Sequence, residues 1–209
     1  MLDRPALALL RPLLLSLARP WVRMGLGANS LTLCGFALGL LAVVLIVFGD
    51  DVRSGQPAWL ALAALLLSRL MDGLDGTVAR LTKPTDRGAF LDITLDFIFY
   101  ASIPLAFALA DPAANALPAA VLLASFIGTA SSFLAFAVMA EKRGLKSTAF
   151  PSKGLYYLGG LTGGTETILC FVAMCLWPQH FAALAYGFAV LCGLTLLTRL
   201  WAGWNALKV

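Results

Sequence analysis

Residues 72–96 read DGLDGTVARLTKPTDRGAFLDITLD and contain the most unusual charge pattern in this chain. Outside the turn that contains Asp86, the stretch places four aspartates among largely apolar residues: Asp72, Asp75, Asp92 and Asp96. A carboxylate near hydrocarbon costs about 2.5–3.5 kcal/mol, even on the insertion scales that give the lowest values. Four of them together therefore require a compensating cation or a water-filled cavity.

The spacing of these aspartates predicts a metal site. On a helix, residues three or four positions apart share a face, so Asp72 and Asp75 point one way from one helix, and Asp92 and Asp96 from the next. Residues 82–88 between them read TKPTDRG, which is typical of a turn that folds the two helices back on each other. Converging carboxylate oxygens are the ligands that Mg²⁺ prefers. The alternative, aspartates that merely face interfacial water, fits a single residue better than four at this spacing.

The composition predicts a protein that faces lipid. The chain is 60% hydrophobic and 12% charged, with a mean hydropathy of +0.88, whereas a soluble domain averages about 25% charged residues. Its 209 residues leave room for about six spans of about 20 residues. The net charge of +4 suits anionic lipid headgroups, and because the basic residues are dispersed through short loops, it does not indicate nucleic-acid binding.

We expect an all-α integral membrane protein in two parts. An interfacial amphipathic helix occupies residues 1–24, because its arginines fall on one arc opposite a row of leucines. A membrane domain of six transmembrane helices occupies residues 25–209. Its predicted spans are residues 30–48, 58–81, 88–109, 117–140, 153–177 and 181–207.

The basic residues predict the orientation of these spans. All Lys and Arg residues except Arg53 and Arg69 fall on the side that holds the N-terminus and the turn of residues 82–88. The positive-inside rule makes that side cytoplasmic, so the aspartate site opens to the cytosol of a bacterial inner membrane. Arg69 lies one turn before Asp72 and is expected to pair with a site aspartate.

The residues of this stretch resemble the signature of the CDP-alcohol phosphotransferases, an integral-membrane family of phosphatidyltransferases. The signature is Asp-x-x-Asp-Gly-x-x-Ala-Arg followed by Gly-x-x-x-Asp-x-x-x-Asp. The chain has the required residue at each fixed position: Asp72, Asp75, Gly76, Ala79, Arg80, Gly88, Asp92 and Asp96. Residues 126–137, FIGTASSFLAFA, and 153–169, KGLYYLGGLTGGTETIL, are similar to a small bacterial branch of the same family.

The resemblance implies an enzyme of phospholipid biosynthesis that transfers a phosphatidyl group from CDP-diacylglycerol to a small polar alcohol and releases CMP. It also implies a homodimer that uses two Mg²⁺ or Mn²⁺ ions. Asp72, Asp75 and Asp92 would be the principal metal ligands, and Asp96 would both bind metal and act as the general base.

The resemblance further assigns the nucleotide to Asn29, Thr32, Asp72, Gly76, Ala79, Arg80 and Gly88. For two of these, Asn29 and Thr32, capping of the first predicted span is the alternative, and physical reasoning alone favours it.

The acceptor alcohol is glycerol 3-phosphate in our first interpretation, because Lys153, Tyr156 and Arg199 lie toward the cytoplasmic side and could bind its phosphate. Serine is the alternative, because Glu166, placed well inside the fifth predicted span, could pair with an ammonium group. Glu166 fits a hydrogen bond to another helix equally well. Most basic residues in such loops serve topology alone.

Two other classes of protein remain open at this point. A secondary transporter would use the aspartates as a cation or proton relay and would form no covalent product. A lipid-binding protein of the same fold would bind the CDP-lipid and release no CMP. The position of the aspartates near one face of the membrane favours the enzyme.

Overall fold

The computed structural model describes residues 3–144 and 160–208, with side chains from residue 9 onward, and all regular secondary structure in this part of the chain is helical. Its α-helices are α1 Asp3–Arg23, α2 Ala28–Phe48, α3 Asp51–Ser54, α4 Trp59–Leu81, α5 Asp86–Ala110, α6 Pro112–Lys142, α7 Gly164–Leu176 and α8 Phe181–Ala206. A short 3₁₀ helix, Pro178–His180, precedes α8.

Within residues 3–144 and 160–208, four helices are long and apolar enough to cross a membrane: α2, α5, α6, and α8 together with its preceding 3₁₀ helix. The apolar helix α7 is shorter, with 13 residues. Helix α4 has 23 residues but carries four charged side chains, Arg69, Asp72, Asp75 and Arg80, and it is not among the four. The prediction of an all-α integral membrane protein is confirmed, and four of its six predicted spans meet the criteria of length and apolarity. The fifth predicted span, residues 153–177, begins outside the described residues, and its described part becomes helical only at Gly164.

Two helices begin earlier than the sequence predicted, because side chains cap them. Helix α6 starts with Pro112 rather than at residue 117, and Asp111 Oδ1 accepts a hydrogen bond of 3.2 Å from the Ala114 amide. Helix α5 starts at Asp86 rather than at residue 88. There Thr85 Oγ1 accepts a hydrogen bond of 3.1 Å from the Gly88 amide.

The centre of the bundle is filled by aromatic rings. Phe99, Phe107, Phe171 and Phe181 are fully buried. The rings of Phe107 and Phe181 stack with centroids 4.7 Å apart, and Phe99 and Phe171 meet edge to face at 6.3 Å. These contacts join α5 to α7 and to α8.

Helices α2 and α4 approach each other closely through glycines. A Cβ atom added to Gly35 would lie 3.0 Å from Met71 Cβ, and one added to Gly39 would lie 3.2 Å from Ser68 Oγ, both on α4. The Ser68 hydroxyl donates a hydrogen bond of 2.6 Å to the Gly35 carbonyl. Small residues at such a crossing allow backbones to approach and pack, and the crossing places α2 beside the aspartates of α4.

Helix α1 rests on this crossing. Its arginines Arg11, Arg19 and Arg23 are exposed, as the amphipathic pattern requires. Leu14 and Ala18 are buried against side chains of α2 and α4, namely Leu31, Leu74 and Val78. The N-terminal helix is therefore docked on the membrane domain. The division of the chain into two parts between residues 24 and 25 stays a prediction.

The outer faces of the helices carry large exposed apolar side chains. On α8 these include Leu197, Trp201 and Trp204. A continuous apolar surface is rare on a water-soluble monomer, whereas lipid covers it in a membrane protein and tryptophans lie at the membrane interface.

Candidate active site

Helices α4 and α5 bring three of the four predicted metal ligands together. Residues 82–85 connect the two helices, and Asp72, Asp92 and Asp96 then each present a carboxylate oxygen within 4.8 Å of the others. Each of the three side chains is partly exposed. The convergence that the spacing predicted is therefore present for this trio.

Asp75 lies outside the trio. Its Oδ2 accepts a hydrogen bond of 2.6 Å from the Thr32 hydroxyl, and the residue is 4% exposed. The bond ties α4 to α2 and uses a carboxylate oxygen that the sequence assigned to metal. Its role as a fourth ligand stays a prediction.

Arg69 lies beside the trio and bridges two of its members. Its Nη1 donates a hydrogen bond of 2.7 Å to Asp96 Oδ1 and lies 3.6 Å from Asp72 Oδ1. This is the pairing that the sequence predicted, and it joins α4 to α5. We call Arg69, Asp72, Asp92 and Asp96 together the carboxylate centre.

A cleft of about 220 Å³ opens at the carboxylate centre. Its other lining residues are Thr32, Gly35, Phe36 and Leu95. This volume includes space that is open to solvent, and the enclosed part is only about the size of one water molecule.

The predicted nucleotide residues Gly76, Ala79 and Arg80 lie on one side of α4. Arg80 is exposed, and its Nη2 donates a hydrogen bond of 3.1 Å to Thr77 Oγ1. A Cβ atom on Gly76 would lie 3.4 Å from Arg80 Nη1, and Ala79 is half-buried. Because Gly76 and Ala79 are small, a phosphate can reach the Arg80 guanidinium.

The predicted nucleotide residues of α2 and α5 meet across the mouth of the site. A Cβ atom on Gly88 would lie 3.0 Å from Asn29 Oδ1. Thr32, nearly one turn after Asn29, is the donor to Asp75. Of the two interpretations of these α2 residues, capping has no support here, because Gly27 is the N-cap of α2 and no side chain caps it.

The sequence predicted that Glu166 lies well inside a span, and this prediction is wrong. Helix α7 begins at Gly164, so Glu166 lies in its first turn, and its Oε2 accepts a hydrogen bond of 3.0 Å from the Gly163 amide. A carboxylate in this position also interacts favourably with the positive end of the helix dipole. Its predicted contact with an acceptor stays a prediction.

A second polar group lies between α6, α7 and α8. The Thr162 hydroxyl donates a hydrogen bond of 2.9 Å to Thr195 Oγ1, and Arg199 Nη1 donates one of 3.0 Å to the Thr129 carbonyl. Thr162, Thr195 and Arg199, which we call the threonine–arginine cluster, are each buried. The other two predicted acceptor residues, Lys153 and Tyr156, lie outside the described residues.

Sequence reasoning missed two contacts that shape the site. The bond from Thr32 to Asp75 spans 43 residues, and the ring centroid of Phe99 lies 3.9 Å from Arg69 Cζ. The signal for the second pair was weak but present, since an arginine in an apolar helix needs both a counter-charge and a packing partner.

Comparison with protein families agrees with this geometry. The family model described as CDP-alcohol phosphatidyltransferase matches residues 26–201, which include α2, the carboxylate centre and most of α8. The chain belongs to this family. It is therefore a CDP-alcohol phosphatidyltransferase family enzyme, and the transporter alternative is set aside.

Two curated relatives of this phosphatidyltransferase are bacterial proteins. The inner membrane protein YnjF of Escherichia coli K12 is 48% identical over 208 residues, which are 100% of this chain and 98% of YnjF. The phosphatidylcholine synthase of Pseudomonas aeruginosa PAO1 is 36% identical over 86 residues, which are 39% of this chain and 33% of the synthase. The apolar helices and the likeness to YnjF identify a multi-pass inner-membrane protein.

A solved structure shares the fold of this phosphatidyltransferase. The phosphatidylinositol phosphate synthase PgsA1 of Mycobacterium tuberculosis, with CDP-DAG bound, superposes with a TM-score of 0.67. The match covers 93% of this chain and 96% of PgsA1 at 20% identity. At this identity the likeness supports the fold alone.

The residues of the carboxylate centre fit a divalent ion. The family uses such a metal, and three carboxylates that approach within 4.8 Å from two helices are the hard oxygen donors that Mg²⁺ and Mn²⁺ prefer. The synthases from Pseudomonas aeruginosa and Mycobacterium tuberculosis are named for different phospholipids, so the acceptor is a separate question.

Proposed function

We propose that this enzyme transfers the phosphatidyl group of CDP-diacylglycerol to a small polar alcohol and releases CMP. The observation that carries the proposal is the approach of Asp72, Asp92 and Asp96 to within 4.8 Å of one another in a member of this family. The crystal structure of the mycobacterial synthase, which has the same fold, contains CDP-DAG, and this supports the same donor.

Asp72, Asp92 and Asp96 would hold the metal, with Asp75 as the fourth ligand of the signature. We propose that the site takes two ions, Mg²⁺ or Mn²⁺. When bound, they would neutralise the negative charge that develops on the phosphoryl oxygens during transfer.

Asp96 is the proposed general base. Its Oδ1 accepts the hydrogen bond from Arg69, which leaves Oδ2 to take the proton of the attacking hydroxyl. The new ester bond then forms between the alcohol oxygen and the lipid phosphorus, while the bond from that phosphorus to CMP breaks. A fixed carboxylate within reach of the hydroxyl contributes about 10²–10⁴-fold to such a rate.

The cytidine and its phosphates occupy the mouth of the site in this proposal. Gly76, Ala79 and Gly88 leave room for them, and Arg80 pairs with a phosphate oxygen. Asn29 and Thr32 border the same space from α2, which is supported by the closeness of Asn29 to Gly88.

We propose glycerol 3-phosphate as the first acceptor. Arg199 is a buried guanidinium in an apolar helix, and a charge in such a place marks a functional site by default. Lys153 and Tyr156 belong to the same proposed group. Serine is second, because Glu166 caps its own helix and is less available for an ammonium group.

The proposed topology has six spans, with α4 and α7 joining the four long apolar helices. Helix α1 lies in the interface, and the carboxylate centre faces the cytoplasm, where the nucleotide-activated donor is made available. The protein acts as a homodimer in this proposal.

The test is CMP release by purified protein from CDP-diacylglycerol with Mg²⁺ or Mn²⁺. Glycerol 3-phosphate, serine and inositol phosphate are offered in parallel, with Asp96→Asn as the control. We expect metal-dependent release with one acceptor and none from the variant. Folded protein that binds the donor but releases no CMP with any of these acceptors would count against this donor and acceptor class, and would favour binding without turnover.

A further inference from the structure

The inference concerns Arg69, which the family signature does not contain. Its guanidinium bridges the two helices of the carboxylate centre: Nη1 lies 2.7 Å from Asp96 Oδ1 on α5 and 3.6 Å from Asp72 Oδ1 on α4. The side chain is 13% exposed, and it lines the same cleft as the three carboxylates. It is therefore part of the reaction site and not of the outer surface.

The guanidinium is fixed from behind. Nη2 donates a hydrogen bond of 3.1 Å to Ser68 Oγ, and Ser68 Oγ in turn donates one of 2.6 Å to the Gly35 carbonyl. The face of the guanidinium lies over the ring of Phe99, with Cζ 3.9 Å from the ring centroid. Gly39 leaves the space that this ring fills. Packing and hydrogen bonds therefore hold the cation in one place.

A role in helix packing alone does not account for this arrangement. Burying an arginine is costly, and apolar residues of similar volume usually stabilise a helix contact equally well or better. Arg69 instead binds the proposed base and a proposed metal ligand at once. Its charge also opposes that of any divalent ion that shares these carboxylates.

We propose that Arg69 is a positioning residue, a fixed cation at the inner end of the carboxylate centre that holds Asp96 in place for catalysis and weakens metal binding in the absence of substrate. This inference rests on the proposed function. It predicts effects of opposite sign when the charge is removed: metal binds more tightly, and turnover falls.

The test compares Mn²⁺ binding and CMP release in full-length protein in detergent. Mn²⁺ affinity is measured without nucleotide, from the paramagnetic resonance signal of the free ion. For Arg69→Met we expect about tenfold tighter Mn²⁺ binding, because a repelling charge is gone, and a maximal rate of CMP release lower by about 100-fold, within the range for a misplaced catalytic group. Arg69→Lys retains the charge without the planar fork, so Mn²⁺ affinity stays near wild type and the rate is intermediate.

Arg80→Met is the matched control, because it removes another positive charge of α4, one that is exposed and hydrogen-bonded to Thr77. Its Mn²⁺ affinity without nucleotide should stay within about twofold of wild type. Phe99→Leu is a second route that keeps the charge but removes the ring beneath it. We expect unchanged Mn²⁺ affinity and a several-fold lower rate of CMP release. If Arg69→Met does not fold, the rate of Phe99→Leu tests whether a fixed Arg69 is needed for catalysis.

Three results would overturn the inference. The first is that Arg69→Met binds Mn²⁺ no more tightly than wild type, and the second is that Arg69→Met and Phe99→Leu both retain the wild-type rate. The third is that wild-type protein binds no Mn²⁺. Failure of the proposed function looks different. In that case wild-type protein binds Mn²⁺ but releases no CMP, and the order of Mn²⁺ affinities among the variants still tests whether Arg69 is the fixed cation.

Discussion

The carboxylate centre and the threonine–arginine cluster are two polar interruptions of one apolar interior, built in opposite ways. The acids of the centre come from two consecutive helices joined by residues 82–85, and the centre is anionic. The cluster is cationic, and its bonds join positions 33 and 70 residues apart. In the proposed function, the carboxylate centre holds the metal and the donor, and the threonine–arginine cluster binds the acceptor.

The largest loss should follow a change at the carboxylate centre. Asp96→Asn keeps the shape of the side chain but removes the proton acceptor, so CMP release should fall by about 10³-fold or more. Asp86→Asn is the matched control, because Asp86 is exposed in the first turn of α5 and outside the trio. A rate for Asp96→Asn similar to that of Asp86→Asn would remove the basis for assigning chemistry to the centre.

A change in the threonine–arginine cluster should affect one substrate only. Arg199→Met should raise the KM for glycerol 3-phosphate by about tenfold or more, because a charged hydrogen bond to the acceptor phosphate is lost. The KM for CDP-diacylglycerol should stay unchanged, and Arg199→Lys should recover part of the affinity. Steady-state kinetics with each substrate varied in turn give the two KM values separately. A raised KM for CDP-diacylglycerol would contradict the assignment of donor and acceptor to different regions.

The contact between α2 and Asp75 should have a smaller effect on rate and a clear effect on stability. Thr32→Val leaves a buried carboxylate oxygen without its donor, which should cost about 1–3 kcal/mol of unfolding free energy and lower the rate several-fold. Thr94→Val is the control, since the Thr94 hydroxyl bonds only to the carbonyl of its own helix in the described structure. Thermal unfolding in detergent should show a lower midpoint for the first variant alone.

The smallest effect is expected at the mouth of the site. Gly88→Ala places a methyl group 3.0 Å from Asn29 Oδ1, so Asn29 must shift by a few tenths of an ångström. The KM for the donor should rise by about twofold to threefold with an unchanged maximal rate. Gly187→Ala, where a Cβ atom meets open space, should match wild type. Equal donor KM values in both variants would indicate that the nucleotide does not lie against Asn29.

The sequence predicted the centre well because its information is local. The turn after α4, the approach of Asp72, Asp92 and Asp96, and the pairing of Arg69 all follow from helical spacing around one turn. The position of Asp75 does not. A three-residue step rotates Asp75 about 60° from Asp72, and which neighbour it then meets depends on how closely α2 can approach.

The errors have similar physical causes. Glu166 was placed inside a span because the glycine-rich residues before it are apolar enough to resemble a helix, and hydropathy does not show where the first turn of α7 forms. The start of α6 could have been predicted from the sequence, because Asp111 and Pro112 form a capping signal that hydropathy does not detect. The docking of α1 through Leu14 and Ala18 depends on a partner surface that the amphipathic pattern does not specify.

The central claim is that the carboxylate centre performs a metal-dependent phosphatidyl transfer. The most direct measurement is mass-spectrometric detection of CMP and of the new phosphatidyl lipid, formed by wild-type protein and by Asp92→Asn from CDP-diacylglycerol and glycerol 3-phosphate over a range of Mn²⁺ concentrations. We predict one lipid for each CMP, no product without metal, and none from the variant. Product that forms equally without metal, or equally in wild type and Asp92→Asn, would contradict the account.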